Sequence, residues 1–305
     1  MRKIELGKSG LLVPDIAVGC MNYCNKDEKD IERLVKSALE AGANFFDHAD
    51  IYGRGESERK FASAIKMNGE LRSKMIIQSK CAIVPHERYD FSKEHIIKSV
   101  EGSLSRLGTD YLDVLLLHRP DALCDSEVAE AFTKLKSDGK VRFFGVSNHN
   151  PMQIKLLQKL TGETLVANQL QFGAAHCEMV ANGINVNMKT PSAEMRDGSV
   201  LDFCRLNDIT VQAWGPVRGT VRGTTIFDDE KCSELNKTLE RVGGELGISK
   251  EAASIAWILR HPANIQAILG TTKEERLKDY LSASGVKMSR QQWYDIYLSA
   301  GNNLP

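Results

Sequence analysis

What most limits this chain is the number of its short β-rich apolar runs. They alternate with longer amphipathic stretches, and there are eight of them: residues 16–18, 44–47, 75–79, 112–117, 141–146, 166–169, 209–213 and 265–269. Alternation of this kind predicts βα units built around a parallel sheet, hence an α/β fold. Eight units are the number that closes a single (β/α)8 TIM barrel. Helices are expected over residues 29–41, 56–65, 93–107, 125–137, 151–159, 199–206, 250–260 and 273–282. Ser92 before Lys93-Glu94 gives a helix start, Gly108 after Leu107 a stop, and Asp138-Gly139 turns the chain into Val141.

The segment 4–13, with turn residues Gly7 to Gly10, is expected to form a small hairpin across the bottom of the barrel. Two stretches exceed plain connections, 172–197 after the sixth strand and 215–249 after the seventh, the latter with an extra helical segment near 229–243. In a barrel, long loops on the C-terminal side of the strands build the binding surface. No linker or composition break divides the chain, so residues 1–305 are expected to make one domain.

Of the 305 residues, 42% are hydrophobic, enough for a sizeable core without disulfides or structural metals. Forty Lys and Arg residues balance 40 Asp and Glu, so no net field recruits nucleic acid or an anionic membrane. Charged Lys3, Glu5, Lys8 and Asp15 interrupt the first apolar stretch, so a signal-peptide core is not expected. No apolar run approaches the ~18 residues of a membrane span. Seven cysteines, without a Cys-x-x-Cys pair or zinc-like spacing, fit reduced thiols and a cytoplasmic location and suggest no metal site.

Three successive strand candidates end in ionisable residues: Asp47, Lys80 and His118. Neighbouring parallel strands of a barrel end on one rim, so the three should converge, and Tyr52, in a loop loosened by Gly53 and Gly55, can fold back over them. Reducing a carbonyl requires a hydride at carbon and a proton at oxygen. A phenol is a weak acid, with an ordinary pKa of ~10, but an adjacent ammonium brings it closer to the working range. Tyr52 is then the expected acid, Lys80 its cation, Asp47 the partner that fixes Lys80, and His118 the group that orients the substrate oxygen. Taken singly, each residue reads as a strand terminus or loop residue. Their joint order on strands two, three and four favours the catalytic reading.

These residues sit in longer runs: 46–53 (FDHADIYG) with Glu56 and Glu58, Lys80, 111–118 (YLDVLLLH), and Gly139-Lys140-Val141-Arg142 leading to Gly145-Val146-Ser147-Asn148. Through them the chain resembles the aldo-keto reductase family over almost its whole length. His118-Arg119-Pro120-Asp121 is similar to bacterial members. The resemblance implies that Asp47, Tyr52, Lys80 and His118 form a catalytic tetrad and that NADPH, more readily than NADH, is the cofactor of a small-molecule carbonyl reductase. It implies further that Ser147, Asn148 and Gln169 hold the nicotinamide carboxamide. The loop Trp214, Gly215, Pro216 and Val217 would lie near the pyrophosphate, and Gly270 to Arg276 would clamp the adenosine phosphate. Gly19, Met21, Gly219, Leu269, Thr271 and Thr272 complete the expected cofactor contacts. Gly215 stands where the family usually has serine, and Tyr280 where many members have asparagine.

The residues themselves agree with that cofactor placement. No Gly-x-Gly-x-x-Gly follows the first strand, which argues against an ordinary dinucleotide domain. The run 268–276 instead reads as strand, small-residue turn and helix N-terminus, a place where barrels bind phosphate. Arg276 could take a further phosphate in bidentate fashion. Gly219 and Gly223 with Arg218 and Arg222 form a basic loop that either crosses the pyrophosphate or stays solvated. Substrate walls are expected from Met21, Asn22, Tyr23, Val84, Tyr89 and Arg119 and from the 172–197 loop, with Arg119 pairing with Asp121 or another surface carboxylate more readily than meeting an anionic substrate. Two other readings remain open: a redox-sensing barrel that binds NADPH with little turnover, and an aldolase or phosphate-ester isomerase in which Lys80 forms a Schiff base or acts as a base.

Overall fold

The computed structural model describes residues 1–304. Its strands are β1 (Lys3–Glu5), β2 (Leu12–Pro14), β3 (Ile16–Gly19), β4 (Phe45–Asp47), β5 (Ile76–Cys81), β6 (Ile83–Val84), β7 (Arg88–Tyr89), β8 (Leu112–Leu117), β9 (Val141–Ser147), β10 (Leu165–Gln171), β11 (Thr210–Trp214) and β12 (Gln266–Leu269). Eight of them close into one barrel in the order β3-β4-β5-β8-β9-β10-β11-β12, and every neighbouring pair is parallel. All eight coincide with the expected runs, within two residues at each end.

The helices are α1 (Glu28–Glu40), α2 (Glu56–Ala64), α3 (Gly69–Ser73), α4 (Lys93–Leu107), α5 (Glu127–Ser137), α6 (Pro151–Thr161), α7 (Glu178–Ile184), α8 (Val200–Leu206), α9 (Ser233–Leu246), α10 (Lys250–Leu259), α11 (Glu274–Leu281) and α12 (Arg290–Ser299). Local chemistry sets many of their starts. The Ser92 hydroxyl accepts the His95 amide at the head of α4, and Asn150 and Gln153 form a reciprocal capping box around Pro151 at the head of α6.

Alternation along each strand divides the interior into two apolar bodies. Outward residues such as Val18, Phe46, Ile77, Leu115 and Val146 pack beneath the helices. Inward residues Ala17, Phe45, Ile76, Val114 and Val166 instead meet Ile4, Leu6 and Val13 of the β1–β2 hairpin, which stops the bottom of the barrel as expected. Gly7 is fixed by this closure: its φ is +56°, and a Cβ there would lie 2.6 Å from the Val166 carbonyl oxygen.

Several elements go beyond the sequence reading. The stretch 172–197 holds α7, the short α3 precedes β5, and β6–β7 form a small hairpin after β5. The extra helix in 215–249 is α9, which starts at Ser233 after a short 3-10 turn. At the C-terminal end, α12 had not been anticipated, although Ser289 and Gln292 make a capping box at its start. Packing holds it, because Trp293 stacks on Trp257 with centroids 5.0 Å apart, and each indole N–H donates to the other's backbone carbonyl.

Candidate active site

Strand register brings the tetrad together. Asp47 pairs with Gln78 across β4–β5, two positions before Lys80, and the His118 amide donates to the Cys81 carbonyl just past the end of β8. Beyond Asp47 the chain keeps following β5: the His48 amide donates to the Gln78 carbonyl and the Asp50 amide to the Lys80 carbonyl. A 3-10 turn at Tyr52–Gly55 then returns Tyr52 over the rim. Gly53 makes that turn possible, with φ +57° and a Cβ position only 2.4 Å from the Cys24 side chain. Any other residue would push the tyrosine loop off its seat.

Lys80 is fully buried, and its ammonium spends all three donors: on Asp47 Oδ2 at 2.8 Å, on the His48 carbonyl at 2.7 Å and on the Tyr52 hydroxyl at 3.0 Å. The rings of Tyr52 and His118 meet edge to face, with centroids 5.9 Å apart. Burial works against the Lys80 charge, but Asp47 and then Tyr52 outweigh it and leave the ammonium pKa raised. Burial pushes the Tyr52 phenol above its ordinary range, and the opposing pull of Lys80 is smaller. Lys80 pulls the phenol in the expected direction, but burial outweighs it and leaves the pKa raised rather than brought toward neutrality. Burial, then the charges of Lys80 and Arg119, drive His118 down to about 2, so its imidazole is neutral.

Beneath the tetrad lies a polar layer missed in the sequence reading. Gln78 and Gln169 both donate to Asp47 Oδ1, at 2.6 and 3.0 Å. Gln212 donates to Gln78 at 3.1 Å and to Gln266 at 2.8 Å, and Gln266 donates to the Pro14 carbonyl at 2.7 Å. Gln78 lies two residues before Lys80, on the same side of β5, so period-two alternation through Lys80 would have located it. Gln169, expected at a carboxamide, here donates to Asp47.

A cavity of about 640 Å³ opens above this layer, within the range of small-molecule sites. Asp47, Tyr52 and His118 line it at the centre, together with Gly19, Met21, Ser147, Asn148, Gln169, Trp214, Gly215, Pro216, Val217, Leu269, Gly270, Thr271, Arg276 and Arg119. Asn148 closes β9 at φ +59°, a conformation asparagine tolerates, and its amide bridges Ser147 Oγ at 2.7 Å and the Trp214 indole at 3.1 Å.

Other expected residues fall outside the cavity. Tyr23 is fully buried, with its ring 6.3 Å from that of Phe61, so it belongs to the core and not to a substrate wall. Asn22 and Thr272 do not line the cavity, nor do Val84 and Tyr89 of the β6–β7 hairpin. Gly219 lies beneath the surface because its loop is folded: its amide donates to the Thr224 carbonyl, and Asp229 accepts the Thr220 amide and hydroxyl, both at 2.6 Å. The loop reaches the cavity through Arg218, Gly223, Thr224 and Thr225, of which the two threonines were not anticipated. The glycine spacing marked this loop, but the Asp229 tether, together with the His176 ring on the Gly219 carbonyl at 3.1 Å, aims it.

The model of the Aldo/keto reductase family matches residues 15–297. The chain is 37% identical over 297 residues to the uncharacterized oxidoreductase YcsN of Bacillus subtilis, covering 93% of each protein. It is 33% identical over 280 residues to a 6-dehydroglucose reductase of Agrobacterium fabrum, covering 88% of this chain and 87% of the relative. Among solved structures it is similar to the thermostable aldo-keto reductase Tm1743 in complex with the inhibitor epalrestat. That match has a TM-score of 0.78 and 26% identity, and it covers 98% of this chain and all of the other. The chain therefore belongs to the aldo/keto reductase family, a family of oxidoreductases with the TIM-barrel fold.

Proposed function

We propose that this protein reduces an aldehyde or ketone to the alcohol with NADPH and that Tyr52 supplies the proton. One observation carries the reading: the Tyr52 hydroxyl sits 3.0 Å from an ammonium anchored 2.8 Å from Asp47, in a cavity large enough for a cofactor and a small substrate. The residues fit a dinucleotide. Arg218 and Arg276 line the cavity without an ion pair, on the side where β11 and β12 end. They would take phosphates, while Ser147, Asn148 and Gln169 would face the nicotinamide. Bound there, the reduced nicotinamide supplies the hydride accepted by the carbonyl carbon.

The chain's own groups do the rest. Neutral His118 holds the carbonyl oxygen by a hydrogen bond, Tyr52 passes its proton to that oxygen, and Lys80, pinned by Asp47, stabilises the phenolate left behind. Gln78 and Gln169 keep Asp47 oriented. A Schiff-base role for Lys80 is disfavoured, because that chemistry needs a neutral amine and this ammonium is buried, paired and raised in pKa. The relative named for 6-dehydroglucose reduction supports the reaction class. The seven cysteines stand unpaired, which supports a reducing, cytoplasmic setting, and no described helix is long and apolar enough to cross a membrane. We take residues 1–305 as one domain.

The test is titration with NADPH and NADH, followed by a panel of aldehydes and ketones monitored at the reduced-nicotinamide absorbance. Saturable NADPH binding with carbonyl-dependent oxidation is the expected result. NADPH binding without turnover on any carbonyl would point to the regulatory reading, and absence of binding would overturn the proposal.

A further inference from the structure

The cavity is lined by three arginines, Arg119, Arg218 and Arg276, and by a single carboxylate, Asp47, which Lys80 already neutralises. Among the described residues the ion pairs made by arginines all involve other positions. For Arg218 and Arg276, which are exposed, a solvated side chain is ordinary. Arg119 is different because it is half-buried. Its expected partner, Asp121, is committed elsewhere: one carboxylate oxygen accepts the Phe91 amide at 2.8 Å and the other the Leu123 amide at 2.9 Å. The Arg119 charge helps lower the pKa of His118 and His149, both held neutral chiefly by burial, and neither can offset it. A cation partly removed from water without a counter-charge carries a desolvation cost that an incoming anion would relieve.

Position separates this arginine from the other two. β8, which Arg119 follows, stands directly across the barrel from β12, which precedes Arg276, while Arg218 follows β11 beside it. Two cations thus flank the side proposed for the cofactor phosphates. The third lies across the mouth, next in the chain to His118. We propose that Arg119 binds an anionic group carried by the carbonyl substrate, a carboxylate or a phosphate ester placed away from the reacting carbon. The planar guanidinium matches either oxyanion with two parallel hydrogen bonds. This rests on the carbonyl-reductase reading and adds the substrate class to it.

The test compares substrates that differ in one anionic group: 4-carboxybenzaldehyde against methyl 4-formylbenzoate, and glyceraldehyde 3-phosphate against glyceraldehyde. Wild type should favour the charged member of at least one pair by ~10-fold or more in kcat/KM, and the pair that responds tells carboxylate from phosphate. Arg119→Met should bring that ratio close to one, and Arg119→Lys should recover part of it, while a merely structural role would lower both members alike. Isothermal titration of benzoate against benzamide, and of inorganic phosphate, into protein saturated with NADP+, so that Arg218 and Arg276 are occupied, reads the same contact without turnover, with anion binding expected in wild type and lost in Arg119→Met. Neutral aldehydes reduced without any charge preference would overturn the Arg119 assignment and leave the reductase reading intact. Arg119-dependent anion binding by a protein that reduces no carbonyl would support the anion site and overturn the reductase reading.

Discussion

The two ends of the barrel are built from the same strands and could hardly differ more. At the bottom, inward side chains are apolar, and Leu6 and Val13 of the hairpin seal them from water. At the top, the inward positions two to four residues further along carry Asp47, Gln78, Lys80, Gln169 and Gln212, every polar group tied to another, below a cavity ringed by arginines. Burial thus does opposite work at the two ends. Below, it removes apolar surface from water and stabilises the fold. Above, it removes water from charges and strengthens their pull on one another, which is what a proton donor requires.

If the ends are separable, mutations should act on stability or on turnover but not on both. The largest effect is expected at the bottom. Leu6→Ala should cost about 2–5 kcal/mol, seen as a lower urea midpoint, with turnover per folded molecule retained. A matching loss of turnover would show that the hairpin supports the site directly. Next, Tyr52→Phe should cut turnover at least ~100-fold while leaving the urea midpoint and NADPH affinity close to wild type. Because burial raises the phenol's pKa, Tyr52 keeps its proton through the neutral range, and reduction should decline only as the pH rises past that raised value. A decline through neutral pH would remove Tyr52 as the donor.

Smaller effects sharpen the comparison at the rim. Arg276→Ala should weaken NADPH by ~10-fold or more and NADH little, measured by fluorescence titration. Equal weakening would take Arg276 off the extra phosphate. The smallest effect concerns Asp50, whose carboxyl is pushed up to about 7 by burial first and by Glu58 second. A raised carboxylate pKa contributes stability at low pH that is lost as the pH rises through about 7. Asp50→Asn should therefore raise the Tm at pH 8 by ~2–4 °C, and by less at pH 5. An equal gain at both values would mean that the wild-type carboxyl does not titrate there.

The fold was legible because its signals are local and repeated: eight apolar runs, each bounded by a turn, each followed by an amphipathic stretch. The tetrad was legible for a related reason. Asp47, Lys80 and His118 sit at or just past the ends of successive strands, and parallel strands carry their ends to one rim. The misses have a different character. Tyr23 follows the first barrel strand just as Met21 does, yet its ring turns into the core against Phe61 while Met21 reaches the cavity. Helix α12 had its cap written in Ser289 and Gln292, but its place depends on Trp293 finding Trp257, 36 residues earlier.

Residue order alone settles what is periodic or adjacent along the chain: the number of strands and the face each strand side chain takes. Contacts between distant segments settle the remainder. The five side chains from Asp47 to Gln266 that make the polar layer come from five strands, Asp229 aims the 218–225 loop, and Asp121 is bound to backbone amides and so leaves Arg119 free. The division follows from geometry, since backbone periodicity is a local property of the chain. Which buried polar group finds a partner is decided only when the whole barrel has closed around it.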